Sequence, residues 1–140
     1  YNWNKTMSMA KQVCPDAVFL LSAGDQIDKS GASKSNDLKT RESEYAGYLY
    51  PEVFRSLPIA STIGNHDTAG SDYSAHFNNP NTGDNLGATN AGSDYYFSYG
   101  NVLFISLNSN NRNQAEHREL MKKAIASNEN AKWKVVRSNR

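Results

Sequence analysis

The chain has 140 residues, 38% of them hydrophobic and 21% charged, with a formal net charge of +1 at pH 7. That length allows one domain with one modest core, and the near-neutral balance, with no Lys/Arg run longer than two, argues against nucleic acid as a partner. No apolar stretch approaches the roughly 18 residues of a membrane span, and a lone Cys14 excludes an internal disulfide framework and a thiolate metal cluster.

Trp3, Thr6/Met7, Ala10 and Val13/Cys14 recur at helical spacing, which predicts a helix with Asn2 or Asn4 as N-cap and Pro15 as its stop. Cys14 is expected there as a small buried thiol. Residues 17–21 form an unbroken apolar run, read as a strand buried on both faces as in a parallel sheet. The run ends in the polar cassette Gly24-Asp25-Gln26-Ile27-Asp28. A polar loop at 29–37 leads to a second helix near 38–50, with Tyr45, Tyr48/Leu49 and Val53 on its inner side. A second buried strand at 59–63 delivers another cassette, Gly64-Asn65-His66-Asp67.

Residues 68–94 show no sustained period, and a loop of that length is functional or disordered. Residues 95–99 and 102–107 read as a β-hairpin turning at Gly100-Asn101, both expected at positive φ. Tyr95 and Tyr96 are assigned to sheet packing. A helix over 113–127 turns Leu120/Met121 and Ala124/Ile125 inward, and 132–136 alternates like the start of a further strand. The order predicts an α/β fold with a mixed sheet.

A glycine followed by oxygen and imidazole donors, at the carboxyl end of a buried strand, is where open α/β sheets place their chemistry. Alone, Gly24-Asp25 also fits a turn or helix cap, and Gly64-Asn65-His66-Asp67 fits a turn with a hydrogen-bonded histidine. Together, at two strand exits joined by one helical crossover, they point to a shared site. Asp25 offers a carboxylate, Asn65 an amide oxygen and His66 a ring nitrogen or a proton. Such donors suit Mn, Fe or Zn. Of the other histidines, His76 is expected on an exposed loop or lid and His117 on a solvated helix face. Asn108, leaving the hairpin strand, is a candidate to line the site.

On these residues the chain resembles the calcineurin-like metallophosphoesterases, nearest the purple-acid-phosphatase-like bacterial branch. Supporting phrases are Tyr96-Phe97-Ser98-Tyr99-Gly100-Asn101-Val102-Leu103-Phe104-Ile105 and Lys132-Trp133-Lys134-Val135-Val136. The resemblance implies a four-layer α/β/β/α sandwich around a dinuclear centre of divalent or trivalent ions. It implies hydrolysis of a small phosphomonoester or phosphodiester by a hydroxide that two metals activate. Asp25 would bridge both metals and Asn65 would ligate the second and touch the phosphate. His66 would protonate the leaving group or stabilise the transition state, and Asp67 would orient the His66 ring. Asp28 stands where purple acid phosphatases carry a colour-giving tyrosine. It is read, with Asn108, as support around the centre.

The family also carries an Asp-x-His motif upstream of the first helix. It has histidines downstream too, one after the Lys-Trp-Lys-Val-Val strand and a Gly-His-x-His beyond. These motifs are absent from residues 1–140, which therefore read as the central part of a single catalytic domain. Alone, such a piece would be inactive, would hold no metal and would self-associate through exposed sheet edges. The alternative function is a non-catalytic fragment or binding scaffold that keeps the fold core without a complete metal site. An unrelated nucleotide-binding module lacks its Gly-rich signature here. No targeting segment is visible, and the Asn-, Ser-, Gly- and Tyr-rich texture favours an extracellular or cell-envelope setting.

Overall fold

The computed structural model describes residues 2–82 and 85–139. It is an α/β arrangement with two sheets, one of them mixed. Helix α1 spans Asn2–Val13 and strand β1 Leu20–Leu21. Helix α2 covers Ser35–Leu49, and strand β2 is Ile59–Ala60. A short helix α3, Asp72–His76, lies in the long loop. Strands β3 (Tyr95–Tyr99) and β4 (Val102–Ser106) form the hairpin, followed by helix α4 (Gln114–Ala126) and strand β5 (Trp133–Arg137).

β1 and β2 pair in parallel, Leu20 opposite Ile59 and Leu21 opposite Ala60. The second sheet runs β3-β4-β5, antiparallel then parallel. Along β4 the side chains alternate, as a pleated strand requires. Leu103 and Ile105 pack with Leu120 and Ala124 of α4, while the Phe104 ring meets Phe19 edge-on at 5.5 Å. Phe19 precedes β1, so rings bridge the two sheets. On the far side of the β1-β2 pair, Tyr45 of α2 packs with Ile27, Ile63, Tyr73 and Phe77. The layers are therefore helix, sheet, sheet, helix. Arg137 of β5 locks the sheets together by donating to the carbonyls of Ala60 (2.7 Å) and Ser61 (3.0 Å).

Several sequence expectations are corrected. The parallel strands are two residues long, not five, and Val18 and Leu21 are 48% and 42% exposed. An apolar run promises burial only where a neighbouring layer covers it. Cys14 is exposed, because α1 buries only Met7 wholly and leaves Val13 73% exposed. Asn2 and Asn4 lie inside α1 instead of capping it. Only Gly100 of the hairpin turn has positive φ, +56°, the sign pattern of a II′ turn and not a I′ turn.

Ile125 is 43% exposed, although Leu120 and Ala124 are buried as expected. Asn113 caps α4, its side chain accepting from the Ala115 and Glu116 amides. Residues 68–94 are not a bare loop. Tyr73, Phe77, Ala91 and Asp94 in it are all buried; residues 83 and 84 lie outside the described part.

Candidate functional site

The two cassettes meet. Asp25 leaves β1 in the left-handed region, φ +50°, just after Gly24 at +98°. Its Oδ1 accepts the backbone N–H of His66 at 3.0 Å. Gly64 packs directly against it, since a β-carbon there would lie 2.1 Å from Asp25 Oδ1. Gln26 adds a second tie, donating from Nε2 to the Thr62 carbonyl at 3.1 Å. The parallel pairing of β1 with β2 is what puts both exits at one edge. A cavity of about 400 Å³ opens on the β1 side of that edge, with Trp3, Ser22, Gly24, Asp25 and Tyr48 among its walls and no residue of the second cassette lining it. A further cavity of about 530 Å³ is lined by Phe19, Phe97 and Tyr99 and touches none of the predicted site residues.

His66 and Asn65 are partly exposed at the rim, and Asp25 and Asp28 are exposed. The His66 Nδ1 is hydrogen-bonded to the Asp28 backbone carbonyl. A carbonyl only accepts, so Nδ1 is protonated whether the ring is neutral or charged, and Nε2 is the nitrogen that can gain or lose a proton. Asp28 thus supports the site through its backbone, not its carboxylate.

The expectation that Asp67 orients the His66 ring is corrected. The Asp67 side chain is wholly buried, its Oδ1 accepting from the Tyr45 hydroxyl at 2.9 Å and its Oδ2 from the Gly64 N–H at 2.8 Å. It therefore braces the 64–67 turn from inside and does not reach the imidazole. Burial raises its pKa, and the bonds from Gly64, Tyr45 and the Gln26 amide only partly offset that.

Asn108 is buried and acts at one remove. Its Nδ2 donates to Gly87 O, Thr89 Oγ1 and Gly92 O, and its Oδ1 accepts from Asn110 Nδ2 at 3.1 Å. Asn110 in turn donates to the Ile63 and Gly64 carbonyls, each at 3.3 Å. His117 is not on a solvated face, because its Nδ1 meets Asp94 Oδ2 at 2.5 Å and its Nε2 the Asn111 carbonyl at 2.8 Å. With an acceptor at each nitrogen the ring is favoured as imidazolium. Partial burial opposes the charge, but the Asp94 bond and the Asn111 carbonyl outweigh it and raise the His117 pKa. His76 packs against Tyr45 at a tilt of 33°, ring centroids 4.6 Å apart, with Nε2 3.2 Å from Glu42. It is a packing residue and not a free lid.

Four residues escaped the sequence reading. Helix α2 holds both cassettes. Glu44 Oε2 accepts from the amides of Asp28 and Lys29, and Arg41 donates to the carbonyls of Lys29, His66 and Asp67. Arg41 sits four residues before Tyr45, so its place on the inner face was visible in the spacing. Asn110 carried no local signal. Asn139, just past β5, reaches the first cassette, its Nδ2 donating to the Ala23 carbonyl at 2.9 Å.

Asp25 and Asn65 carry hard oxygen donors, the chemistry that divalent cations take. Among the described residues no group of three or more His, Cys, Asp or Glu is placed to hold a metal. Two oxygen donors are fewer than a metal centre takes.

A family model described as calcineurin-like phosphoesterase matches residues 1–139. No curated protein and no solved structure matches the chain significantly.

Proposed function

The chain belongs to the calcineurin-like phosphoesterase family, and from that premise we propose that its site cleaves phosphomonoesters or phosphodiesters at a dinuclear metal centre. The family's general activity is metal-dependent hydrolysis of phosphate esters. In the proposed reading Asp25 and Asn65 are metal ligands, and Asn65 also touches the phosphate. His66 gives a proton from Nε2 to the departing oxygen. Remaining ligands come from outside the described residues. Bound cations of this kind supply activation of water and neutralisation of phosphoryl charge.

The observation that supports this reading is the 3.0 Å bond from the His66 backbone N–H to Asp25 Oδ1, which ties the first cassette's carboxylate to the Asn65-His66 turn of the second. Asp28 supports it by fixing the tautomer of His66. The sharp positive-φ exit at Gly24-Asp25 is the local conformation that presents Asp25.

The test is metal analysis with hydrolysis of p-nitrophenyl phosphate and its bis-ester by the full-length protein. On an alkyl phosphate ester, whose departing oxygen needs the proton, His66→Ala should lower turnover by about 10²–10⁴, with a much smaller loss on the p-nitrophenyl esters and constant metal content. Unchanged turnover would remove His66 from the mechanism. The second reading, a binding scaffold, is favoured by the shortage of donors among the described residues. A protein that binds no metal, with every ligand motif present, would establish it.

A further inference from the structure

The Arg41 side chain is wholly buried, and each of its five N–H donors has an acceptor. Nε and Nη2 grip the two oxygens of Asp72 at 2.6 and 2.8 Å. Nη2 also reaches the Asp67 carbonyl at 3.0 Å, and Nη1 takes the carbonyls of Lys29 and His66, both at 2.7 Å. Neutralising the charge needs only Asp72. The three remaining bonds all go to backbone oxygens in or beside the two cassettes. One is on His66 itself. Another is on Lys29, one peptide beyond the Asp28 carbonyl that receives the His66 Nδ1. The guanidinium thus holds the histidine by its main chain and also holds the strut under its ring.

We propose that Arg41 is a positioning residue for His66. It fixes the imidazole with Nδ1–H on the Asp28 carbonyl, so that Nε2 is the nitrogen that exchanges a proton with the phosphoester's leaving oxygen. The inference rests on the proton-donor reading of His66 above. In the step it serves, a water-derived hydroxide forms a new bond to phosphorus as the ester P–O bond breaks, the electron pair stays on the departing oxygen, and the imidazolium form of His66 gives that oxygen its Nε2 proton. The ring keeps its Nδ1 proton and regains the other from water. Lysine cannot take the place of Arg41, because a single ammonium cannot span the fork of acceptors.

The experiment compares wild type, Arg41→Lys and His66→Ala in the metal-loaded, full-length protein, on a p-nitrophenyl ester and an alkyl ester of the same phosphate class. The alkyl leaving group needs protonation and p-nitrophenolate hardly does. Arg41→Lys is expected to lower kcat for the alkyl ester by about 10²-fold, the scale of a 1 Å misplacement, with KM unchanged and a much smaller loss on the p-nitrophenyl ester. An equal loss on both esters, or none, would overturn the proposal. If His66→Ala itself shows no leaving-group preference, the proton-donor reading has failed. The positioning claim is then read from the ring alone, by ¹⁵N NMR of the imidazole. Wild type should show the Nδ1–H tautomer and Arg41→Lys a mixture, and an unchanged tautomer would sink the claim. Should Arg41→Lys fail to fold, Asp72→Asn replaces it with the same two readouts and the same expected directions.

Discussion

Gly64 lies so close to Asp25 that a β-carbon on it would sit 2.1 Å from the carboxylate Oδ1 and 2.2 Å from the Asp25 backbone nitrogen. Gly64 does not have positive φ, so the need for glycine here is one of space and not of backbone freedom. One of the atoms in the way is backbone, which has nowhere cheap to go. Gly64→Ala should therefore push the cassettes apart and cost about 1–3 kcal/mol, the usual range for overpacking. Thermal denaturation measures the cost. Amide exchange of the His66 N–H, expected to accelerate, reports the broken bond to Asp25.

Tyr45→Phe tests the inner brace of the 64–67 turn. It removes one of the donors to the buried Asp67 carboxylate, a loss of about 1–3 kcal/mol for a buried acceptor left unpaired. The sign with pH follows from the raised pKa of Asp67, which burial causes. The folded state binds this proton more readily than the unfolded one, so the Asp67 contribution to stability falls as pH rises above the ordinary 3.8 through the raised value. Tyr45 favours the ionised form, so the variant should raise that pKa further. Urea unfolding should then show a larger gap from wild type near neutral pH than in acid.

The placement of both cassettes was legible because each follows an apolar run and one crossover helix separates them. Helices α2 and α4 and the hairpin were legible for the same reason, a sustained period. Other features depend on partners distant in sequence. Arg41 lay on the correct face of its helix, but a buried guanidinium is unreadable until Asp72 and three carbonyls gather round it. Asp67 adjoins His66 in sequence yet turns the other way, because Tyr45 and the Gly64 amide offer it a buried pair of donors. Adjacency along the chain is a poor guide to contact in a tight turn. His117 looked solvated among Glu116, Arg118 and Glu119, and only the fold brings Asp94 to it.

His117 should make stability depend on pH in the opposite range. Its pKa is raised above the ordinary 6.5, burial being outweighed by Asp94, the Asn111 carbonyl and the charge of Glu116. The stability from its charged form is fully present below 6.5 and is lost as pH rises through the raised value. His117→Gln should melt below wild type in mild acid, with the gap closing in alkaline buffer. Melting curves across that range check it. A gap that widened with pH would contradict the imidazolium assignment.

Among the described residues strand β5 is an edge of its sheet, and it exposes Trp133 at 70% and Val136 at 54%. An apolar, unpaired edge is a template for another chain. The isolated chain should associate in a concentration-dependent way, and Val136→Lys should weaken that association while leaving the circular dichroism spectrum unchanged. Sedimentation velocity at several concentrations distinguishes the two.

The Trp3 ring lies parallel to that of Tyr48, centroids 5.3 Å apart, and its indole N–H donates to the Tyr48 carbonyl at 2.8 Å. Tyr48 belongs to the same helix that carries Arg41 and Tyr45. With Trp133 replaced by Phe, the remaining indole becomes an optical gauge for the seating of that helix. Its emission would report loosening beneath the histidine turn in real time, in a protein with no label attached and no substrate present.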